Sequence, residues 1–113
     1  MSQASLKIQH EDGQLIVGFQ GSLHGQSAAE FKNEIYREIE RGCERVILDF
    51  SQLDYLSSAG IGLVVSILNH GRQFGSGVIV CGLQGDSLNI FRLTRLDRVF
   101  EIHPTLEDAL VVS

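Results

Sequence analysis

The sequence has no tryptophan, one proline, two cysteines and a deficit of positive charge. Nine Lys and Arg stand against fourteen Asp and Glu, a net charge of −5, so the chain as a whole offers no electrostatic footprint for a phosphate backbone. With aromatics at 7% there is no stacking platform for single-stranded nucleic acid either. Cys43 and Cys81 lie far apart and form no C-x-x-C pattern, and His10, His24, His70 and His103 show no H-x-x-x-H spacing. Neither a metal centre nor a cofactor is expected from them. No uncharged apolar run approaches the ~20 residues of a membrane span; the longest, residues 61–68, covers less than half of that. The start, Met1-Ser2-Gln3-Ala4-Ser5, lacks the basic-then-apolar order of a secretory signal, so the cytoplasm is the expected location.

What is present fits one folded domain over residues 1–113. At this length a chain buries roughly two-thirds of the surface it exposes when unfolded, enough to fold without a disulfide or metal. Leu6, Ile8 and His10 alternate with polar residues, Asp12-Gly13 follows, and Leu15, Val17 and Phe19 alternate again. Asp-Gly between alternating runs predicts an antiparallel hairpin with a type I′ turn. Residues 21–26 read as a loop. Phe31, Ile35 and Ile39 then share one face of a helix over residues 27–41, with Glu30, Lys32, Glu34, Arg37, Glu38 and Glu40 on the rest and Gly42 placed to end it. Residues 46–50 and 77–81 are nearly continuous apolar runs, the mark of parallel strands covered on both faces. Cys81 reads as a small buried residue within the second run. A third, shorter strand is expected at residues 98–102, nearer an edge. Helices are expected over residues 57–73, with Ile61, Val64, Val65 and Leu68 as its apolar stripe, over residues 86–96, with Leu88 and Phe91 turned inward, and from a Thr105 cap to Val112. The order predicts an α/β fold: a mostly parallel mixed sheet with an N-terminal antiparallel hairpin and about four helices.

One stretch carries chemistry. A buried strand is expected to end near Phe50, and a helix to begin at Ser57 or Ser58 after a short loop containing Asp54 as a turn residue. Ligands and reacting groups collect beyond the carboxyl ends of parallel strands, and a helix N-terminus favours anions. A serine hydroxyl there could hold a phosphoryl group, with Ala59 and Gly60 leaving room for a partner. Serine is also a preferred N-cap, whose loss costs ~1 kcal/mol. Taken alone, the residues favour the cap. Gly60 and Gly62 read as packing glycines, and Asp49 as a cap for a nearby N–H.

The stretch resembles the signature of STAS domains, the family of anti-sigma factor antagonists. The matching residues are Asp49-Phe50-Ser51 followed by Ser57-Ser58-Ala59-Gly60-Ile61. Gly21-Ser22-Leu23 is similar to the family's G-x-L-D stretch, residues 93–102 (LTRLDRVFEI) to its L-T-x-L-D-x-x-F-x-I, and residues 106–110 (LEDAL) to its closing L-E-[ED]-A-L. The pieces span nearly the whole chain in the family's order.

The resemblance implies a STAS fold without enzymatic activity or cofactor. It also implies partner switching: the antagonist binds an anti-sigma factor that is a serine kinase, and phosphorylation of the antagonist loosens the complex. Aligned on the glycine, the phosphoacceptor falls on Ser58, with Ser57, Ala59 and Gly60 as its neighbours. Ser22, Leu23, His24, Ile61 and Gly62 are then candidate partner-binding residues, and a serine phosphatase is a possible further partner. Two positions depart from the family pattern: Ser57 replaces the acidic residue before the acceptor, and His24 replaces that of G-x-L-D. The alternative within the family is an unphosphorylated accessory subunit of a lipid-transport ATPase. A nucleophilic Ser58 with His24 or His70 as base lacks a G-x-S-x-G elbow and a placed acidic orienter. The acidic cluster of a receiver domain and the G-x-x-x-x-G-K-[ST] of a nucleotide-binding loop are both missing.

Overall fold

The computed structural model describes residues 4–111. Five strands form one sheet in the order β1-β2-β3-β4-β5. β1 (Ser5–Glu11) and β2 (Gln14–Leu23) pair antiparallel, and β2, β3 (Arg45–Leu56), β4 (Gly77–Cys81) and β5 (Glu101–His103) run parallel. Between them lie α1 (Gly25–Glu40), α2 (Ser58–Gln73) and α3 (Gly85–Leu93), and α4 (Leu106–Leu110) closes the order. Asp12 (φ 50°) and Gly13 (φ 80°) supply the two positive dihedrals of the expected hairpin turn. Gly42 (φ 104°) ends α1, its N–H donating to the Ile39 carbonyl at 3.0 Å. At α4, the Thr105 hydroxyl accepts from the Asp108 N–H at 3.1 Å as expected, and Val112 lies outside the described residues, as do Met1-Ser2-Gln3.

Strand alternation sends side chains to two faces. Val17, Phe19, Leu48, Phe50 and Val80 meet Ile35, Ile39, Val64, Ile67 and Phe91 on the face covered by α1, α2 and α3. Ile16, Ile47, Ile79 and the buried Cys81 meet Ala109 of α4 on the other. Five of the six phenylalanines make a chain through the larger core, from Phe31 to Phe19, Phe50, Phe91 and Phe100, with Phe19 and Phe50 stacked at 5.1 Å. α1 and α2 are joined at their far ends by Tyr36 stacked on His70 at 3.7 Å, and His70 Nε2 lies 2.8 Å from Glu40 Oε2.

Four local expectations change. Residues 21–23 are not loop: β2 continues to Leu23, because it pairs with an extension of β3. β3 itself does not stop near Phe50 but runs to Leu56, so Asp54 is a strand residue. The extension outruns β4, whose pairing with β3 ends at Asp49–Cys81. It therefore lacks β4 as a neighbour, and its mixed residues, Ser51-Gln52-Leu53-Asp54-Tyr55-Leu56, carry no continuous apolar run to reveal it. The helix expected to reach residue 96 ends at Leu93 and the strand expected from residue 98 begins at Glu101, because Arg95 takes a left-handed conformation (φ 63°) and residues 96–98 form a 3₁₀ turn. Finally, Gly62 is not a packing glycine: a Cβ built on it meets nothing within 4 Å.

Candidate functional site

The long β2 and β3 carry the chain past the edge of β4 and deliver the starts of α1 and α2 to one place. Leu23 pairs with Leu56 at the end of the ladder. His24 is the N-cap of α1, with the Ser27 hydroxyl accepting from its N–H at 3.2 Å and donating to its carbonyl at 3.0 Å. A Cβ on Gly25 would stand 3.7 Å from the Cβ of Ala59, so the two helix starts abut.

Ser57 is the N-cap of α2. Its hydroxyl donates to the Leu23 carbonyl at 2.6 Å and accepts from the Gly60 N–H at 3.1 Å, and its own N–H donates to the same carbonyl at 3.2 Å. The cap thus also ties α2 to the end of β2. Gly60 is required by that closeness: a Cβ there would stand 2.7 Å from Leu56 Cδ1 and 3.1 Å from Leu23 Cδ2.

Ser58 is the first residue of α2. It is exposed, and its hydroxyl makes no hydrogen bond with any described residue. It sits where the first N–H groups of the helix lack intrahelical acceptors and where the dipole favours negative charge. Ala59 and Gly62 are exposed beside it, and Ile61 is half-buried. Ser22 is half-buried in β2 opposite Tyr55. Of the expected partner-binding residues, Leu23 changes role: its side chain is fully buried beneath Gly60, and only its backbone serves the site.

Tyr55, not singled out from sequence, is 52% exposed, with its ring 5.8 Å from that of His24. It flanks a shallow depression of about 400 Å³ lined by residues 53–56 and 84–87. The Gln84 side chain donates to the Ser51 carbonyl at 3.0 Å and fastens the start of α3 to the β3 extension. Gly82 (φ 76°) makes that join close, since a Cβ there would stand 2.7 Å from the Ser51 nitrogen. No sequence signal marks Tyr55, because its exposure follows from the β2–β3 pairing. Asp49 Oδ1 accepts from the Ser51 N–H at 3.0 Å, the cap expected of it. Burial first, and then the Asp49 carboxylate, push the Cys81 thiol up to about 12, so it is protonated near neutral pH. Among the described residues no cluster of His, Cys, Asp and Glu could hold a metal ion, and no helix is long and apolar enough to cross a membrane.

The STAS domain family matches residues 5–109. The chain belongs to this family. Among curated relatives it is similar to the "Putative anti-sigma factor antagonist BtrV" of Bordetella bronchiseptica, 30% identical over 98 residues, which cover 87% of this chain and 84% of that one. Among solved structures it is similar to an anti-sigma factor antagonist from Mycobacterium paratuberculosis, with a TM-score of 0.82 at 24% identity, covering 96% of this chain and 92% of that one. The anti-sigma factor antagonist SpoIIAA in its unphosphorylated form matches with a TM-score of 0.81 at 18% identity, covering 94% and 93%. Its phosphorylated form, described as a Bacillus cell fate determinant, matches with a TM-score of 0.76 at 17% identity, covering 94% and 96%. These structures bear on the fold; the STAS fold is the arrangement described above.

Proposed function

We propose that this STAS domain is a cytoplasmic, non-enzymatic anti-sigma factor antagonist, which binds an anti-sigma factor serine kinase at the start of α2 and is released when Ser58 is phosphorylated. The observation that carries the reading is the division of labour between adjacent serines. Ser57 has both its donor and its acceptor engaged inside the fold, whereas the Ser58 hydroxyl is exposed and unbonded at the helix N-terminus. The names of the relatives support the antagonist role, and a fold neighbour solved in phosphorylated and unphosphorylated forms makes modification a natural test.

In the transfer step Ser58 Oγ attacks the γ-phosphorus of ATP held by the kinase. The Oγ–P bond forms, the bond from the γ-phosphorus to the bridging oxygen breaks, ADP leaves, and the hydroxyl proton passes to a base of the kinase. A serine phosphatase restores the hydroxyl with water, releasing phosphate. The modification adds about −1.5 to −2 charges to a surface that must pack against a partner. Burying that charge unpaired is costly, so the complex loosens. The helix N-terminus tolerates the same charge within the free domain, so the domain stays folded.

Mass spectrometry of the protein isolated from its native cells should find phosphate on Ser58. Calorimetry with the histidine-kinase-like ATPase that copurifies should show Ser58→Asp binding weakly and Ser58→Ala binding like the wild type. Equal affinity of the two variants overturns the switch. Copurification with an ATP-binding transport subunit, together with an unmodified Ser58, overturns the antagonist role in favour of a lipid-transport accessory subunit.

A further inference from the structure

We propose that a groove at the opposite end of α2 is a second docking surface, fitted to an acidic peptide segment of a protein partner. The net charge of −5 conceals a local reversal. Arg72, Arg92, Arg95 and Arg98 make no ion pair with any described residue, whereas Arg41 is paired with Glu38. Arg45, Leu68, Arg72, Val78, Val99 and Glu101 are among the lining of a groove of about 340 Å³, and of its two arginines Arg45 already has a partner within the fold. Val99 is 45% exposed there, and Leu93, between Arg92 and Arg95 in the chain, is 83% exposed.

The remaining arginines lie on the chain that enters the groove at Val99. The Arg95 N–H donates to the Arg92 carbonyl at 3.2 Å, and the Arg98 N–H to the Arg95 carbonyl at 3.1 Å. Two successive three-residue turns therefore hold the three guanidinium stems on one short ribbon that leads into Val99. Arg95 keeps a left-handed backbone (φ 63°, ψ 20°) that glycine would adopt at lower cost. Asp97 and Glu101 are the carboxylates among these cations, and Glu101 is already engaged with His103 Nε2 at 2.8 Å.

The chemistry of the surface names its occupant. A guanidinium fork matches a carboxylate bidentately, and both the groove's cations, Arg45 and Arg72, and the three on the ribbon beside it are arginine. The exposed Leu93 and Val99 call for an aliphatic side chain alongside those carboxylates. A nucleic acid offers phosphates without that anchor. The broad, flat face of an anionic bilayer does not seat in a concave site. Fourteen helical steps separate Ser58 from Arg72, about 21 Å at 1.5 Å per residue, so the groove is outside the Ser58 site.

The test is a titration of the isotopically labelled full chain with a synthetic peptide of alternating Glu and Leu, followed by NMR. Amide shifts should change around residues 68–79 and 92–101 and not at Ser58. The double variant R92Q/R98Q should weaken binding by about tenfold or more, R72Q, on a different element, should weaken it too, and Ser58→Asp should leave it unchanged. Affinity should fall steeply as salt rises from about 50 to about 300 mM. Shifts centred on Ser58, binding indifferent to the arginine variants, or preference for phosphatidylglycerol vesicles or a single-stranded oligonucleotide over the peptide would overturn the proposal. So would a wild-type dimer by sedimentation that R92Q/R98Q dissolves, since the occupant would then be a second copy.

Discussion

Ser57 and Ser58 are neighbours in the chain and meet opposite surroundings. Ser57 faces the root of the helix start, where its hydroxyl joins α2 to the end of β2. Ser58 faces the lip, exposed and unbonded. Gly60 and Gly62 repeat the contrast: the first is pressed against Leu23 and Leu56, the second has open space above it. Successive residues on a helix point about 100° apart, so two positions suffice to pass from core to solvent. The lesson is that residue type does not carry the role here. The root holds the two helix starts together, and the lip is left free to be recognised or modified.

Substitution at matched positions can break this contrast. The largest effect is expected for Gly60→Val, which forces a branched side chain into the space between Leu23 and Leu56. Overpacking of this kind should cost about 3 kcal/mol, read as a lower urea midpoint. A Gly60→Val protein as stable as the wild type would mean that the root is not tightly packed. Ser57→Ala should come next, at about 1–2 kcal/mol, because it removes a cap and a bond to the Leu23 carbonyl together. Gly62→Ala should move the other way and stabilise by up to about 1 kcal/mol, since the added methyl meets nothing and helix propensity improves. Ser58→Ala should lie within about 0.5 kcal/mol of the wild type in chemical denaturation. A loss as large as that of Ser57→Ala would show that Ser58 is structural and remove the distinction.

A smaller pH effect belongs to the other end of the helix layer and should leave the serine contrast untouched. The hydrogen bond from His10 holds the Glu38 carboxyl below its ordinary range, with Arg41 helping and partial burial opposing. A carboxylate depressed in the folded state adds stability above its unfolded pKa, and that stability is lost as pH falls through the folded value. Urea midpoints taken from about pH 7 down to about pH 3 should therefore fall slightly less for Glu38→Gln than for the wild type.

Much of this fold is written in local pattern. The Asp12-Gly13 turn, the apolar runs of β3 and β4, and the four-residue repeat of Phe31, Ile35 and Ile39 each state a period or a turn that backbone geometry can meet in few ways. Ser58 was legible as a candidate for the same reason, since a serine at a helix start after a buried strand is a local feature. The extension of β3 was not legible. Its residues 51–56 pass beyond β4 and mix Ser51, Gln52 and Asp54 with Leu53, Tyr55 and Leu56, so the continuous apolar run that announces a doubly covered strand is lost. Leu23 and Tyr55 were misplaced or missed with it, as burial of the first and exposure of the second both follow from that pairing. The arginines were hidden differently: a net charge averages over the chain, whereas Arg72 and Val99, the residue that follows the 92–98 ribbon, line one groove only once α2 and the chain leading into β5 have packed.

By itself, then, the sequence determined the order of strands and helices, the turn and cap chemistry and the serine pair, because each depends on residues within a few positions of one another. Only the tertiary structure decided which serine is committed to the fold, which glycine is crowded, and that Arg72 and Val99 line one groove. Those depend on contacts between segments far apart in the chain, and a side chain's surroundings exist only once such segments have packed.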